Sequence, residues 1–408
     1  MMTTRQNPIL KTALSALVAL LLGVGFAYKA LQNYRHQDYL NSNFFSFWLS
    51  GHMVWTGENP YDSSQWLGNF DAFGATYQPS RILQYPLPLM YLMAPLGLFP
   101  LGQAYFAWQM VTQIAMAATI YALLNHWPDR SERLLFLPLV VFASFFGPVY
   151  LTLQVGALGA IALLAILMTI LLLEKERPLP AGMMLSLTML KPPQGLALLA
   201  LAGIWFIAKR NWKSIAGIVL GGLTLLTIWI LRDPLWLTKF GGSSEHLLDL
   251  TLGAQSNVFS FAFLVCGQNM ICTWTLGTAG TLLALGLGAY YLWRNRARLT
   301  AWEAFNVIIP LGFVSTIYLW SYDQLPYIIP ITWIAGTLVE RTKSYLRSFV
   351  FLIVLDALAF IALTVQAYTH KDLLSIVTTL LTLGMCLWLM RKPSSETAKS
   401  TGTPLVVK

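Results

Sequence analysis

Charge is scarce in this chain: 11% of its 408 residues are charged, against 56% hydrophobic, with a mean hydropathy of +0.61. A soluble domain carries about 25% charged residues, so a soluble globular protein is excluded. Alternating apolar patterning is also missing. The hydrophobic runs are continuous, which rules out a β-barrel and leaves helices as the spanning elements. Cysteine is nearly absent, with Cys266, Cys272 and Cys386 alone, and none has metal-ligand spacing. No basic stripe with interleaved aromatics exists, so the net charge of +9 does not indicate nucleic acid. No repeat of fixed period and no soluble domain interrupt the chain.

What is present is a series of about ten apolar runs long enough to cross a bilayer. The basic residues lie in the short connections between them: Arg130 and Arg133, Lys175 and Arg177, Lys209, Arg210 and Lys213, Arg294, Arg296 and Arg298, Arg341, Lys343 and Arg347, and Arg391 and Lys392. Placing every cluster in the cytoplasm gives a consistent path with both termini inside. The first run, Ile9 to Leu31, reads as a retained anchor because it lacks a small-residue cleavage site. The expected architecture is therefore an all-α, polytopic membrane protein of about 10–12 spanning helices. It forms one unit over residues 1–390, followed by a disordered cytoplasmic tail at 391–408. Cys266 and Cys272 flank a short loop. Two buried thiols are the plainer expectation, and a disulfide is the alternative if that loop lies outside the cytoplasm.

Two interruptions stand out. The first is the long external segment from Gln32 to Tyr85, which holds Arg35, His36, Asp38, Asn41, Asn43, His52, Glu58, Asp62, Asp71 and Arg81. Within it, Phe44, Phe47, Trp48, Gly51, Val54 and Trp55 recur at three- and four-residue intervals. That spacing predicts an amphipathic helix at the membrane interface, ended by Gly57 and followed by a turn at Asn59-Pro60-Tyr61-Asp62. The second is Lys191-Pro192-Pro193-Gln194, which breaks an apolar stretch of about 30 residues flanked on both sides by basic clusters. It predicts two half-helices meeting at membrane depth, where a cation needs a partner or a task.

Asp38, Asn43, His52, Arg81, Lys191, His246 and Asp323 all fall on the external side of this path. A carboxylate there suits general-base work on a hydroxyl, and a cation at a helix break suits a phosphate. Together they suggest a lipid-phosphate substrate. The plain alternative for Asp38, Asp62 and Asp71 is a solvated loop carboxylate, with Asp62 simply starting a turn. For His52 it is a helix-surface histidine. Gln154, before Gly156, either caps a helix or touches a ligand.

Four stretches resemble glycosyltransferase family 87, the GT-C type of polyprenyl-phosphate-sugar-dependent membrane glycosyltransferases. They are Asn43 to Tyr61, Gln84-Tyr85-Pro86-Leu87-Pro88, Leu190-Lys191-Pro192 with Leu153-Gln154-Val155-Gly156 upstream, and Trp320-Ser321-Tyr322-Asp323-Gln324. The resemblance implies transfer of a hexose, typically mannose, from a polyprenyl-phosphate sugar to a lipid-linked or cell-envelope acceptor. Transfer would occur on the outer face of the plasma membrane with inversion, without metal or nucleotide cofactor. An aspartate would act as base, Asp38 or Asp323. Lys191 would hold the donor phosphate with Gln194 and Gln154 nearby. Tyr61, Tyr85 and Tyr322 would shape the sugar site, and Asn43 would hydrogen-bond acceptor or sugar. The chain departs from the family where Asn43 stands at the aspartate position, since an amide cannot serve as a general base. A transporter or flippase of lipid-linked saccharides, or a non-catalytic relative, are the competing expectations.

Overall fold

The computed structural model describes residues 39–75, 82–125, 132–230, 233–241 and 253–391, with a few positions between 24 and 35. Most of the first expected span, the tail after Arg391, and Asp38, Arg81 and His246 lie outside the described residues. Every regular element among the described residues is helical.

Among the described residues, four helices are long and apolar enough to cross a membrane: α4 (Leu101–Leu124), α12 (Met270–Arg294), α15 (Tyr345–Thr369) and α16 (Ile376–Arg391, counted from Leu373). A bent pair, α5 (Phe136–Phe145) and α6 (Gly147–Val155), makes a fifth candidate, broken by 61°. The bend falls at Phe146, directly before Gly147-Pro148, where the proline cannot continue the preceding hydrogen-bond ladder.

Shorter apolar helices fill the bundle: α3 (Leu87–Gly97), α7 (Gly159–Glu174), α8 (Pro178–Ser186), α9 (Pro192–Ala208), α10 (Trp212–Ile230) and α13 (Ala301–Val314). Helices α11 (Val258–Cys266) and α14 (Ile328–Thr342) complete it.

The external segment contributes α1 (Asn43–Thr56) and α2 (Ser63–Ala72). Helix α1 ends on Gly57 at φ +77°, as its glycine predicts. It does not rest on an interface with one face in lipid. Phe44 to Gly51 are buried all round, because α2, α3 and α4 enclose the helix. Trp48 and Trp55 donate their indole N–H groups to the carbonyls of Phe99 and Ala94 at 3.0 and 2.7 Å. Gly51 faces the Met93 carbonyl so closely that a Cβ would lie 2.5 Å from it; only glycine lets the two backbones approach. A helix hydrophobic on every side is a core helix.

Much of the polar inventory of this segment caps and turns the chain. Asp62 accepts from the Ser64 and Gln65 backbone N–H groups at 2.9 and 3.1 Å, capping α2. The Ser64 hydroxyl beside it holds its carboxyl below the usual range. Glu58 accepts from Thr56 and Asn69, and the His52 ring stacks on Trp48 with Nδ1 3.0 Å from the Gly97 carbonyl. Asp62 thus serves as the helix cap, and the half-buried His52 ring is held by Trp48 and the Gly97 carbonyl.

Cys266 and Cys272 are joined in a disulfide across the start of α12, with Cα atoms 5.7 Å apart, in place of two free thiols. Cys386 is a buried free thiol.

Candidate active site

Lys191 has neither helical neighbour's geometry (φ −127°, ψ 82°). It sits between a short 3-10 turn, Leu187–Leu190, and the proline-led start of α9. The run of α8 and this turn covers about 21 Å, and the 17-residue α9 about 26 Å. Neither arm reaches across a hydrocarbon core of about 30 Å. Their far ends lie together: Glu174, just before α8, accepts from Trp302 Nε1 at the start of α13. Trp205, near the end of α9, meets Phe305 of α13 edge-on at 6.3 Å. The arms thus form a hairpin with Lys191 at its tip, as the paired prolines predicted.

At the tip, the Lys191 ammonium forms an ion pair with Asp323 Oδ1. Both side chains are shielded, at 12% and 1% exposure, so this is a desolvated pair and not a surface bridge. Asp323 Oδ2 accepts from the Trp320 backbone N–H at 3.2 Å, closing the turn Ser321–Asp323. The Lys191 nitrogen lies 5.5 and 5.4 Å from the ring centres of Tyr318 and Tyr322. Tyr322 stacks on Trp320 at 6.1 Å. The result is a cation in an aromatic-walled notch with one carboxylate.

The other expected site residues are placed around this notch by three links. Helix α6 packs on the Asp323 turn, where the Thr152 hydroxyl donates to the Tyr322 carbonyl at 2.6 Å. Two residues on, Gln154 accepts at its carbonyl from Tyr105, and Gly156 ends α6 at φ +63° against Phe44 of α1. Asn43 opens that same helix and Phe47, one turn further, meets Tyr85 edge-on at 4.8 Å. Tyr85 feels the charge of Asp323 and neighbours Tyr318. Burial pushes the phenols of Tyr85 and Tyr322 well above their ordinary value, with Tyr318 and Asp323 adding to it, so both are neutral donors. Tyr61 stands one step back: its hydroxyl donates to the Tyr85 carbonyl at 2.6 Å and braces that residue. Gln194 opens α9, buried, and its Nε2 has no hydrogen-bond partner among the described residues. An unsatisfied buried donor three residues along the chain from a cation suits an anionic oxygen.

Sequence reasoning missed Tyr318 and Asp372. It also missed the polar loop Ala254–Asn257. There, Gln255 Oε1 accepts from Leu319 N at 2.7 Å and from Asn257 Nδ2 at 3.0 Å, and Gln324 reaches Ser256 at 3.3 Å. Asp372 carried the same signal as Asp323, a lone acid at the mouth of a span.

No group of three or more His, Cys, Asp or Glu among the described residues is arranged to hold a metal ion. The site lies at one end of the bundle. The basic connections after α7, α9, α12 and α14 lie at the other, since the helices that start beside the site end there.

The family model for glycosyltransferase family 87 matches residues 83–316, more than half of the chain, and the protein belongs to that family. It is a membrane glycosyltransferase by class. No curated protein and no solved structure matches it.

Proposed function

We propose that the protein transfers a hexose, mannose-like, from a polyprenyl-phosphate sugar to a hydroxyl of a lipid-linked or cell-envelope acceptor at the outer face of the plasma membrane. The observation that carries this reading is the buried Lys191–Asp323 pair at the tip of a hairpin too short to cross the bilayer.

A donor phosphate competes with Asp323 for the ammonium, and the orphaned Gln194 amide supplies a second donor to it. When Lys191 turns to the phosphate, Asp323 Oδ1 opens. The acceptor oxygen then bonds to the anomeric carbon as the bond from that carbon to the phosphate oxygen breaks. Polyprenyl phosphate leaves with the electron pair, the hydroxyl proton passes to Asp323, and the anomeric configuration inverts. The neutral phenols of Tyr85 and Tyr322 and the stacked Trp320 supply donors and an apolar wall for the sugar. Asn43 and Gln154, at the adjoining ends of α1 and α6, are placed for acceptor or sugar hydroxyls. Asp38 is the competing base.

Two observations support the outward orientation. The basic loops occupy the end opposite the site, the cytoplasmic end by charge bias. The Cys266–Cys272 disulfide lies at the start of α12, opposite basic Arg294, and disulfides persist outside the cytoplasm.

The test is transfer from a synthetic polyprenyl-phosphate hexose by the purified full chain in nanodiscs, without gradient or partner. Labelled glycolipid product is expected from the wild type, and loss of product from Asp323→Asn. Product formation unchanged in Asp323→Asn but abolished in Asp38→Ala would move the base to Asp38. Absence of product with every donor would overturn the reading.

A further inference from the structure

The turn that carries Asp323 is held from behind by a second carboxylate. Asp372 lies between α15 and α16 at 1% exposure. Its Oδ2 accepts from the Ser321 backbone N–H, the first residue of the Asp323 turn. Its Oδ1 is 2.5 Å from the Ser375 hydroxyl, and its own N–H donates to the Ala254 carbonyl at 2.6 Å. One residue, through its carboxyl and its backbone N–H, thus joins three distant stretches: Gly253–Asn257, Leu319–Gln324 and Lys371–Ser375.

Its electrical surroundings are one-sided. Across the turn stands Asp323, whose charge acts on it. The Gly253–Asn257 loop offers only neutral groups. On its own stretch, His370 and Lys371 are exposed, as is Tyr368 in the last turn of α15. Among the described residues no cation lies within ion-pair distance of Asp372, whereas Asp323 has Lys191. A buried carboxylate without a cation is costly when ionised and is more cheaply kept as the neutral acid.

We propose that Asp372 is a positioning residue which works in its protonated form, bracing the Asp323 turn as a neutral acid, and that its ionisation loosens the turn and places a second negative charge behind the site of the anionic donor. The proposal rests on the glycosyltransferase reading for its kinetic consequence only. Burial, opposed by the Ser375 and Ser321 hydrogen bonds, pushes its carboxyl up to about 7, which puts the switch near neutrality.

Two experiments test this on the full-length chain in nanodiscs. In the first, kcat/KM for a synthetic polyprenyl-phosphate hexose is measured from acid to alkaline pH. The wild type loses activity as pH rises through neutrality. Asp372→Asn, which keeps a neutral accepting oxygen, stays within about threefold of wild type in acid and exceeds it about tenfold at about pH 8, with no neutral limb. Ser375→Ala removes a bond that favours the ionised form, so its limb moves to higher pH. Asp372→Ala is impaired at every pH. In the second, hydrogen–deuterium exchange, corrected for intrinsic rates, shows protection of residues 319–324 falling as pH rises through neutrality in the wild type but not in Asp372→Asn. An unmoved limb in both Asp372→Asn and Ser375→Ala, or pH-independent protection in the wild type, overturns the proposal. If no variant and no wild type transfers sugar, the glycosyltransferase reading fails and the exchange experiment alone decides the role of Asp372.

Discussion

The two ends of this helical bundle use charge in opposite ways. At the basic end, Lys175, Arg177, Arg294, Arg296 and Arg298 sit in short, largely exposed connections, and Thr300 and Glu303 close a capping box at the start of α13. At the site itself the charged groups are few and buried: Lys191 pairs with Asp323, and Asp372 behind them has no cation within ion-pair distance among the described residues. Exposed charge at the first end orients the chain in the membrane. Buried charge at the second is expensive and persists where chemistry or specificity requires it.

That contrast can be broken most sharply at the buried pair. Lys191→Met or Asp323→Asn is expected to lower transfer by about 10³-fold, read as labelled product. Lys191→Met strands a buried carboxylate and costs about 3–5 kcal/mol of stability. The double variant recovers stability but not activity, which thermal melts in detergent beside the transfer assay will show. Recovery of both would make the pair purely structural.

Asp372 comes next. Its folded carboxyl is raised by burial, so its contribution to stability is complete below about pH 4 and lost as pH climbs to about 7, on the order of a few kcal/mol. Asp372→Asn is therefore more stable than wild type at about pH 8 and not at about pH 4, measured by melting temperature at the two pH values. Gly156→Ala follows. At φ +63°, with Phe44 Cβ 2.5 Å from the added methyl, it is expected to cost about 2–4 kcal/mol and to separate α1 from α6. Thr300→Ala removes one half of the capping box for about 1 kcal/mol, with transfer unchanged. Lys175→Ala, at the basic end, shifts stability by less than about 0.5 kcal/mol. A larger effect there would erase the distinction between the two ends.

The parts of the fold legible in the chain were those fixed by local stereochemistry. Paired prolines at 192 and 193 mark a helix break, Gly57 ends a helix, and the apolar runs announce a helical membrane protein. Asp323 was legible because a lone acid between two apolar runs has little structural reason to be there. The enclosure of α1 was not, since three-residue spacing of aromatics looks alike whether lipid or protein covers the other face. Nor was the disulfide, whose formation depends on which side of the membrane its loop occupies. The polar network behind the site was hidden for a different reason. Gln255, Leu319, Ser321 and Asp372 converge from positions 51 to 64 residues apart, and no local periodicity encodes that meeting.

The shortness of the hairpin bearing Lys191 has a consequence for the solvent around it. On the proposed reading its arms stop short of the far headgroups, so the cation would sit beneath the outer surface and a carrier's polar head would have to descend to meet it. The length of that descent would depend on the surrounding lipid. A thicker bilayer would bury the proposed reacting centre further, and the carrier would then have to be pulled farther from its preferred plane before reacting.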